Sequence, residues 1–209
     1  MTSEKKLFSD IMAPRFLGSQ LLIASPNMED PRFARSVVLL GAHDDDHAMG
    51  IIINKTLPEV SFSEVLGHID LETDSSADRF DVYYGGPVQQ ERGFVVHTLD
   101  YKTKSTLEVT PEIGFTGSKE ILEKIMADDA TSAPSQWFLA LGYASWAPTQ
   151  LEAEISENAW IHCPADKGIV FSDVVADKWT MALAKLGVSS AMLTPDWFAG
   201  RDVSQDRLN

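Results

Sequence analysis

The sequence predicts a single α+β domain with a mixed β-structure and about four helices. Short apolar runs rich in β-branched residues, each bounded by Pro, Gly, Asn or Asp, recur along the chain and are typical of strands. A few amphipathic segments interrupt these runs instead of alternating with them, which favours α+β over a doubly wound α/β sheet. The 209 residues, 44% of them hydrophobic and 23% charged, suit one globular domain that needs neither a disulfide nor a metal to fold.

The predicted strands fall into two groups. The first group comprises residues 20–24, 36–42 and 48–54. Its apolar runs are nearly continuous, as expected for strands buried on both faces. In the segment between the first two strands, Pro26 and Pro31 exclude regular pairing, so a structured loop is expected there. The short HDDDH segment at 43–47 predicts a hairpin between the second and third strands. The second group comprises residues 80–84, 93–98, 106–109, 136–142 and 158–163.

Four helices are predicted from capping residues and apolar periodicity. Ser61 and Glu64 form a capping-box pattern that begins a helix ending near Asp70. Ser118 is the expected N-cap of the second helix, and the third begins near residues 148–149. The fourth is expected to begin after Ser172 and to end at Gly187.

Composition excludes several classes of protein. The 17 Lys and Arg against 31 Asp and Glu give a formal net charge of −14, which disfavours direct binding to nucleic acid. The single cysteine, Cys163, cannot form an intramolecular disulfide and indicates a reducing compartment. No apolar run is long enough for a membrane helix, and no apolar stretch follows Lys5 and Lys6. We therefore expect a cytoplasmic protein without membrane contact.

The polar motifs favour structural interpretations. Residues 43–47 combine imidazoles and carboxylates, but a stable metal site needs three or four preorganised ligands, so a solvated acidic turn is preferred. Gly85-Gly86-Pro87 predicts a tight turn more than an anion-binding loop. The motifs of P-loop, dinucleotide-binding, serine hydrolase and zinc protease families are absent, and no cofactor, metal ligand or catalytic residue is expected.

Side-chain alternation separates other pairs that could cooperate chemically. Arg92 and His97 lie five positions apart and fall on opposite faces of a regular strand. His162 and Cys163 are strand neighbours and cannot form a nucleophile–base pair, so Cys163 is expected to be a small buried hydrophobe. The best physical candidate for a surface site is the segment 142–148, predicted to leave a strand and enter a helix whose first turns carry Gln150 and Glu154.

Three segments, taken together, resemble the YqgE/AlgH family of bacterial proteins. They are LIASPNMEDPRFARSVVLLGAHDDDHAMGIIINK, YYGGPVQQERGFVVHT and LGYASWAPTQLEAEISENAW, in the family's order. The resemblance implies β-structure that partly closes into a barrel flanked by helices. It covers about residues 14–190, so residues 14–194 are expected to form the domain, with an extension at 1–13 and a tail at 195–209 that carries Trp197 and Phe198.

The resemblance also implies a set of motif residues and two departures. The ligand- or partner-binding candidates among them are His43, Asn54, Gly85, Gly86, Pro87, Arg92, His97, Tyr143, Trp146, Gln150 and Glu154. Ser145 stands where the family commonly has Gly. Ala147 stands where it often has a hydroxyl residue, so the helix cap is lost or moves to Thr149, at a cost of about 1 kcal/mol.

Two functions from different classes remain open, because the family has no established activity or cofactor and carries only a label of transcriptional regulator. The first is a non-enzymatic regulatory or interaction protein that binds a protein partner or small ligand at the surface of residues 85–87 and 142–150, with an indirect effect on transcription. The alternative is an unrecognised enzyme that uses His43, Asn54, Arg92, His97 or Glu154. A DNA-binding transcription factor is disfavoured by the charge and by the absence of a helix-turn-helix pattern.

Overall fold

The computed structural model describes residues 17–71, 73, 75–127 and 133–188, and these form one α+β domain. The strands are β1 Gln20–Ala24, β2 Val37–His43, β3 Ala48–Ile52, β4 Val82–Tyr84, β5 Val88–Thr98, β6 Thr106–Glu108, β7 Ile113–Thr116, β8 Trp137–Trp146 and β9 Trp160–Pro164. The α-helices are α1 Phe62–His68, α2 Lys119–Met126, α3 Gln150–Ser156, α4 Lys167–Val170 and α5 Lys178–Lys185, with 3₁₀ helices at Ser75–Arg79 and Val175–Asp177.

The strands form one curled sheet, a half-barrel, in the order β6-β7-β5-β8-β3-β2-β1-β9. The strand β4 pairs parallel to the first half of β8, and the other pairings are antiparallel, so the sheet is mixed as predicted. The long strand β8 joins the two halves, because its first half pairs with β4 and β5 and its last residues pair with β3. Gly142, at φ 74°, stands between these two stretches.

Both faces of the central strands are covered. Leu21, Leu39 and Ile51 point to one side, where they share a core cluster with Trp179 and Leu183 of α5. Their neighbours Leu22, Val38, Leu40 and Ile52 point to the other side and pack against Trp146, Leu151 and Trp160. A third cluster joins α1 and α2 to β5 and β8. Burial of each such side chain stabilises the fold by about 1.5–3 kcal/mol, which explains the continuous apolar runs.

The strand predictions are largely confirmed, with two corrections. The first strand matches at residues 20–24, and the predicted hairpin joins β2 and β3. The prediction missed β7, because the four-residue segment IGFT is short, contains a glycine and becomes a strand through its pairing with β5 and β6. The sequence also predicted a loop from residue 142 onwards, but β8 continues to Trp146, since the left-handed conformation of Gly142 absorbs the irregularity and the pairing then resumes with β3.

The first helix is confirmed together with its capping box, in which Ser61 Oγ accepts the Glu64 N–H and Glu64 accepts the Ser61 N–H. Ser118 stands at the N-cap of α2 but makes no capping hydrogen bond, and its Oγ instead accepts from Ser105 Oγ.

The fourth predicted helix begins later than Ser172, at Lys178, because the Ser172 hydroxyl caps only a short turn at Val174 and a 3₁₀ helix follows. The prediction missed α4, which Asp166 caps. The predicted extension 1–13 and tail 195–209 lie outside the described residues.

Candidate functional site

A groove of about 810 Å³ lies between the first loop, which is the segment 25–36 that joins β1 to β2, the end of β8 and the start of α3. We call it the indole groove. Its lining comes from the loop 25–33, Pro87 and Val88, Ser145 and Trp146, Gln150 and Glu154 of α3, and residues 157–160. It therefore joins three segments that are far apart in the sequence.

The Gly85–Gly86 turn holds Pro87 at this groove through close backbone contact with β8. A Cβ atom at Gly85 would lie 2.3 Å from the Gly142 oxygen, and one at Gly86 would lie 2.1 Å from the Tyr143 carbonyl carbon. The Gly85 N–H donates to the Leu141 oxygen at 2.8 Å. The glycines therefore allow two backbones to touch, and the N–H of Gly85 is already used inside the fold.

Three aromatic rings form the floor of the groove. The Phe33 ring stacks on Trp146 at 6.3 Å between centroids and meets Trp160 edge-on at 5.5 Å, while the two indoles lie 5.8 Å apart. Trp146 and Trp160 are 3% and 2% exposed, whereas Phe33 is half-buried. Phe33 is therefore the ring that this cluster presents to a ligand.

One carboxylate connects the two indoles. Glu154 Oε2 accepts from Trp146 Nε1 at 2.8 Å and from Trp160 Nε1 at 2.7 Å. Glu154 Oε1 accepts from Gln150 Nε2 at 2.8 Å, and Gln150 Oε1 accepts the Ala147 N–H at 3.0 Å. Gln150 thus binds back to the backbone ahead of the helix, which is the returning half of a capping box, whereas Thr149, at the N-cap of α3, makes no side-chain cap. Sequence reasoning missed Trp160, which only the tertiary fold places beside Glu154.

The rim of the groove is acidic. Glu29 and Glu157 are exposed, and Asp30 pairs with Arg32 within the first loop. Arg32 Nη2 lies 2.7 Å from Asp30 Oδ2 and its Nε lies 3.0 Å from Asp30 Oδ1, and this hydrogen bonding holds the pKa of Asp30 below its usual value. The same guanidinium stands 5.9 Å from the centroid of the Phe33 ring. The chain thus already places one of its own cations against this aromatic and acidic surface.

The other predicted residues do not line the groove. Asn54 fixes the end of the first loop, since its Oδ1 accepts the Val37 N–H at 2.7 Å and its Nδ2 donates to the Arg35 oxygen at 2.8 Å. His43 accepts the Leu17 N–H at Nδ1 and contacts Glu152 Oε1 through Nε2 at 3.0 Å.

His97 is fully buried. Its Nδ1 donates to the Thr98 oxygen at 2.9 Å and its Nε2 lies 2.9 Å from Thr116 Oγ1. Burial lowers the pKa of His97 and favours the neutral ring. Arg92 is exposed, with its guanidinium over Phe94, and it lies where the pairing of β5 with β8 is irregular, between Val88 and Gly93. Tyr143 packs edge-on against that same ring. His43, Asn54, Arg92 and His97 therefore lie outside the lining of the groove to which Glu154 belongs.

Two further polar segments have structural roles. In the hairpin at 43–47, Asp44 Oδ1 accepts the N–H groups of Asp46 and His47 at 2.9 Å. Among the described residues no three His, Cys, Asp or Glu side chains gather as a metal site would require. Cys163 is buried as predicted, and burial raises its pKa, so it is a protonated thiol near neutral pH. No helix in the described part of the chain has the length and apolar character to cross a bilayer.

The AlgH-like family model matches residues 21–191. Relatives described as UPF0301 proteins occur in Nitrobacter hamburgensis, at 43% identity covering 86% of this chain and 85% of the relative, and in Caulobacter vibrioides, at 41% identity covering 86% and 91%.

Two solved structures share the fold. The solution structure of the AlgH protein from Pseudomonas aeruginosa has a TM-score of 0.73 at 40% identity and covers 88% of this chain and 96% of that one. A crystal structure of a protein from Corynebacterium diphtheriae has a TM-score of 0.65 at 22% identity, covers 88% and 94%, and supports the fold alone. The half-barrel, the family match and the relatives agree with the resemblance seen in the sequence, and the chain belongs to the AlgH-like family of UPF0301 proteins.

Proposed function

We propose that the chain is a non-enzymatic interaction protein of the bacterial cytoplasm that binds a cationic group in the indole groove. A basic segment of a protein partner is the ligand that best suits the open groove, and a small polyamine or guanidinium compound is the other source of the same chemistry. The effect on transcription that its regulator label suggests is then indirect, through that partner.

The observation that carries this proposal is the combination of a half-buried aromatic ring with carboxylates around it. A guanidinium or ammonium over an aromatic face gains about 0.5–1 kcal/mol at an exposed site, and nearby carboxylates add to the attraction. Phe33 supplies the ring, and Glu29, Asp30 and Glu157 supply the charge. Arg32, whose guanidinium stands 5.9 Å from the Phe33 centroid and pairs with Asp30, supports the proposal as an example of a cation beside this ring.

Charge also favours a protein partner over nucleic acid. The net charge of −14 repels a phosphate backbone, since binding to nucleic acid depends on Lys and Arg that release its counterions. The same charge attracts a basic protein segment, and this attraction weakens as salt increases.

The proposal is tested by calorimetric titration with a hexa-arginine peptide, a hexa-glutamate peptide and spermidine. We expect binding of the hexa-arginine peptide and none of the acidic one. Weaker binding by Phe33→Leu, which keeps an apolar side chain but removes the ring, would place the peptide in the groove. Comparable saturation by spermidine would identify a small cation, rather than a peptide, as the ligand.

Arg32→Gln is the sharpest variant, because it frees both Asp30 and Phe33 for an external cation. We expect it to bind the peptide about three to ten times more tightly, which corresponds to the free energy of one exposed cation–π contact or ion pair. Arg79→Gln is the matched control, since Arg79 also stacks on an aromatic ring, that of Phe80, but does not line the groove. An equal increase in peptide affinity in the two variants would show that binding depends only on the net charge of the protein, and it would contradict the proposal.

Binding to DNA is tested in a separate experiment. A gel shift at physiological salt should show no sequence-specific complex with promoter fragments. A tight, specific shift would overturn the indirect role while leaving the measurements on the groove unaffected.

A further inference from the structure

A second cavity, of about 720 Å³, opens between α1, α2 and the strands β5 and β8. Its volume lies within the range of small-molecule sites in proteins, which is about 300–1,000 Å³. We call it the aliphatic cavity, because none of the described residues that line it is Phe, Tyr or Trp. Its apolar lining includes Val65 and Ile69 of α1, Leu122 of α2, and Val95, Leu139 and Leu141 of the strands. Among the described residues, none lines both this cavity and the indole groove.

The apolar walls of the aliphatic cavity are incompletely covered. Leu139 is 1% exposed, whereas Val65, Ile69 and Leu141 are only half-buried. Gly93 of β5 also lines the cavity, and a Cβ there would lie 3.3 Å from Leu139 Cδ1 and 3.8 Å from Leu141 Cδ2. The missing side chain therefore leaves the surface of two leucines open to an apolar ligand.

Two cations stand among the residues that line the cavity. Arg92 is exposed and its guanidinium packs over the Phe94 ring at 4.9 Å. Within the described part of the chain, the guanidinium has no ion pair and no hydrogen-bond acceptor. Lys119 is partly engaged, because its Nζ donates to the Asp70 oxygen at 3.1 Å and lies 3.8 Å from Glu123 Oε1. The N–H donors of Arg92 are therefore available to an anion.

The guanidinium itself, and not only the stem of Arg92, lies at the edge of the cavity. Its Nη2 is 3.7 Å from the point where Gly117 would carry a Cβ, and Gly117 lines the cavity. Arg92 and Gly117 also border a smaller pocket of about 380 Å³ beside Phe94, so the guanidinium stands between the two spaces. A ligand with its chain in the aliphatic cavity can therefore reach this charge with its head group.

Two carboxylates also border the aliphatic cavity. Glu64 Oε2 accepts the Ser61 N–H at 3.4 Å as part of the capping box of α1, so it has a structural role. Glu91 is exposed, next to Arg92 in the irregular part of β5. The carboxylate of Glu91 opposes an anion in the cavity, and it therefore provides a variant with an effect of the opposite sign to that of Arg92.

We propose that the aliphatic cavity binds an unbranched carboxylate of medium length, such as octanoate. Its alkyl chain lies against the valine and leucine side chains, where each CH₂ group that leaves water strengthens binding about fourfold. Its carboxylate accepts from the guanidinium of Arg92, whose planar fork of N–H groups fits two carboxylate oxygens. This site is independent of the indole groove and of the function proposed for it.

The test is calorimetric titration near neutral pH with octanoate, hexanoate, octylamine and 1-octanol. We expect octanoate to bind about ten times more tightly than hexanoate, because two more CH₂ groups leave water. Octylamine carries the same apolar chain with the opposite charge and should bind more weakly than octanoate. Equal affinities for octanoate and octylamine, or for octanoate and hexanoate, would overturn the proposal.

Charge variants test the head group. Arg92→Gln should weaken octanoate binding about three- to tenfold and leave 1-octanol binding unchanged, because only the carboxylate meets the guanidinium. Glu91→Gln should strengthen octanoate binding. Arg79→Gln is the matched control, since Arg79 also stacks on an aromatic ring, that of Phe80, but does not line the cavity. The same loss of octanoate affinity in Arg79→Gln and Arg92→Gln would contradict a contact with Arg92.

Filling the cavity tests where the alkyl chain binds. Gly93 lies outside the left-handed region, so Gly93→Val is allowed by the backbone and should eliminate binding of both octanoate and 1-octanol. Val65→Phe fills the same space from α1 and decides the result if Gly93→Val does not fold in urea-unfolding controls. Phe33→Leu, in the indole groove, should bind octanoate like the parent chain. Undiminished binding in a folded cavity-filling variant would place the ligand elsewhere and overturn the proposal.

Discussion

Glu154 accepts the indole N–H of Trp160 at 2.7 Å with the same oxygen that accepts from Trp146. Six positions separate Glu154 and Trp160 in the sequence, and the end of α3 and the start of β9 bring them together. The carboxylate therefore satisfies two nearly buried donors at once and sets the position of the aromatic floor of the indole groove.

Replacement of Glu154 by Ala should destabilise the protein by about 2–6 kcal/mol, because two buried indole N–H groups lose their acceptor and each costs about 1–3 kcal/mol. Urea unfolding followed by tryptophan fluorescence measures this loss. Glu157→Ala, one turn away and exposed, is the control and should change the free energy of unfolding by less than about 0.5 kcal/mol. Equal effects in the two variants would contradict the role of Glu154.

Gly142→Ala should lower the free energy of unfolding far more than Gly187→Ala does. Both glycines have φ 74°, so both variants carry the penalty of about 1 kcal/mol for a side chain in the left-handed region. A Cβ at Gly142 would also lie 2.3 Å from the Gly86 oxygen, whereas Gly187 has no atom within 4 Å. We expect Gly142→Ala to lose about 3 kcal/mol or more of unfolding free energy. A similar loss in both variants would mean that the Gly86–Gly142 contact adjusts at little cost.

His97 should make the protein less stable as the pH falls below about 6.5. Burial lowers the pKa of His97 in the folded state, so the unfolded chain binds a proton first and stability is lost as pH falls through the unfolded value. The slope from this group is at most about 1.4 kcal/mol per pH unit. Unfolding free energies from pH 5 to 8 should show a smaller slope for His97→Gln than for the parent chain. His68→Gln, on the exposed surface of α1, should leave the slope unchanged.

Lys178 should give a trend of the same sign in alkaline solution. Its folded pKa of about 8 lies below the ordinary lysine value, so the unfolded chain binds the proton more tightly and stability rises with pH above about 8. Tyr83, with its pKa raised to about 12, reverses this trend above about pH 10, where only the unfolded tyrosine ionises. The difference in unfolding free energy between the parent chain and Lys178→Met should therefore increase from pH 8 to 10. A constant difference would show that Lys178 keeps its ordinary pKa in the folded chain.

Local patterns predicted most of the β-structure. Continuous runs such as QLLIA are apolar because both faces of the strand are covered. The capping box of Ser61 and Glu64 was equally predictable from the sequence, since both residues lie within one turn of the helix. The segment IGFT failed as a strand prediction because its role depends on β5 and β6, which pair with it from elsewhere in the chain.

The candidate site was only partly predictable for the same reason. The resemblance pointed to Trp146, Gln150 and Glu154 together, and they do line one groove. It also pointed to His97, which lies in the core. Trp160 carried no local signal, because an aromatic residue at the start of a strand is an ordinary core residue until its indole N–H is seen to meet a carboxylate.

By itself the sequence determined the α+β class, the family, the acidic charge and most strands and turns, because these depend on composition and on residues close together in the chain. Only the tertiary structure decided which side chains share a cavity. It placed the first loop over Trp146, set Glu154 between two indoles and buried Lys178 beside Tyr83 and Phe138. These relationships arise from the curl of the sheet, which brings distant segments together, and sequence spacing does not encode distances across such a curl.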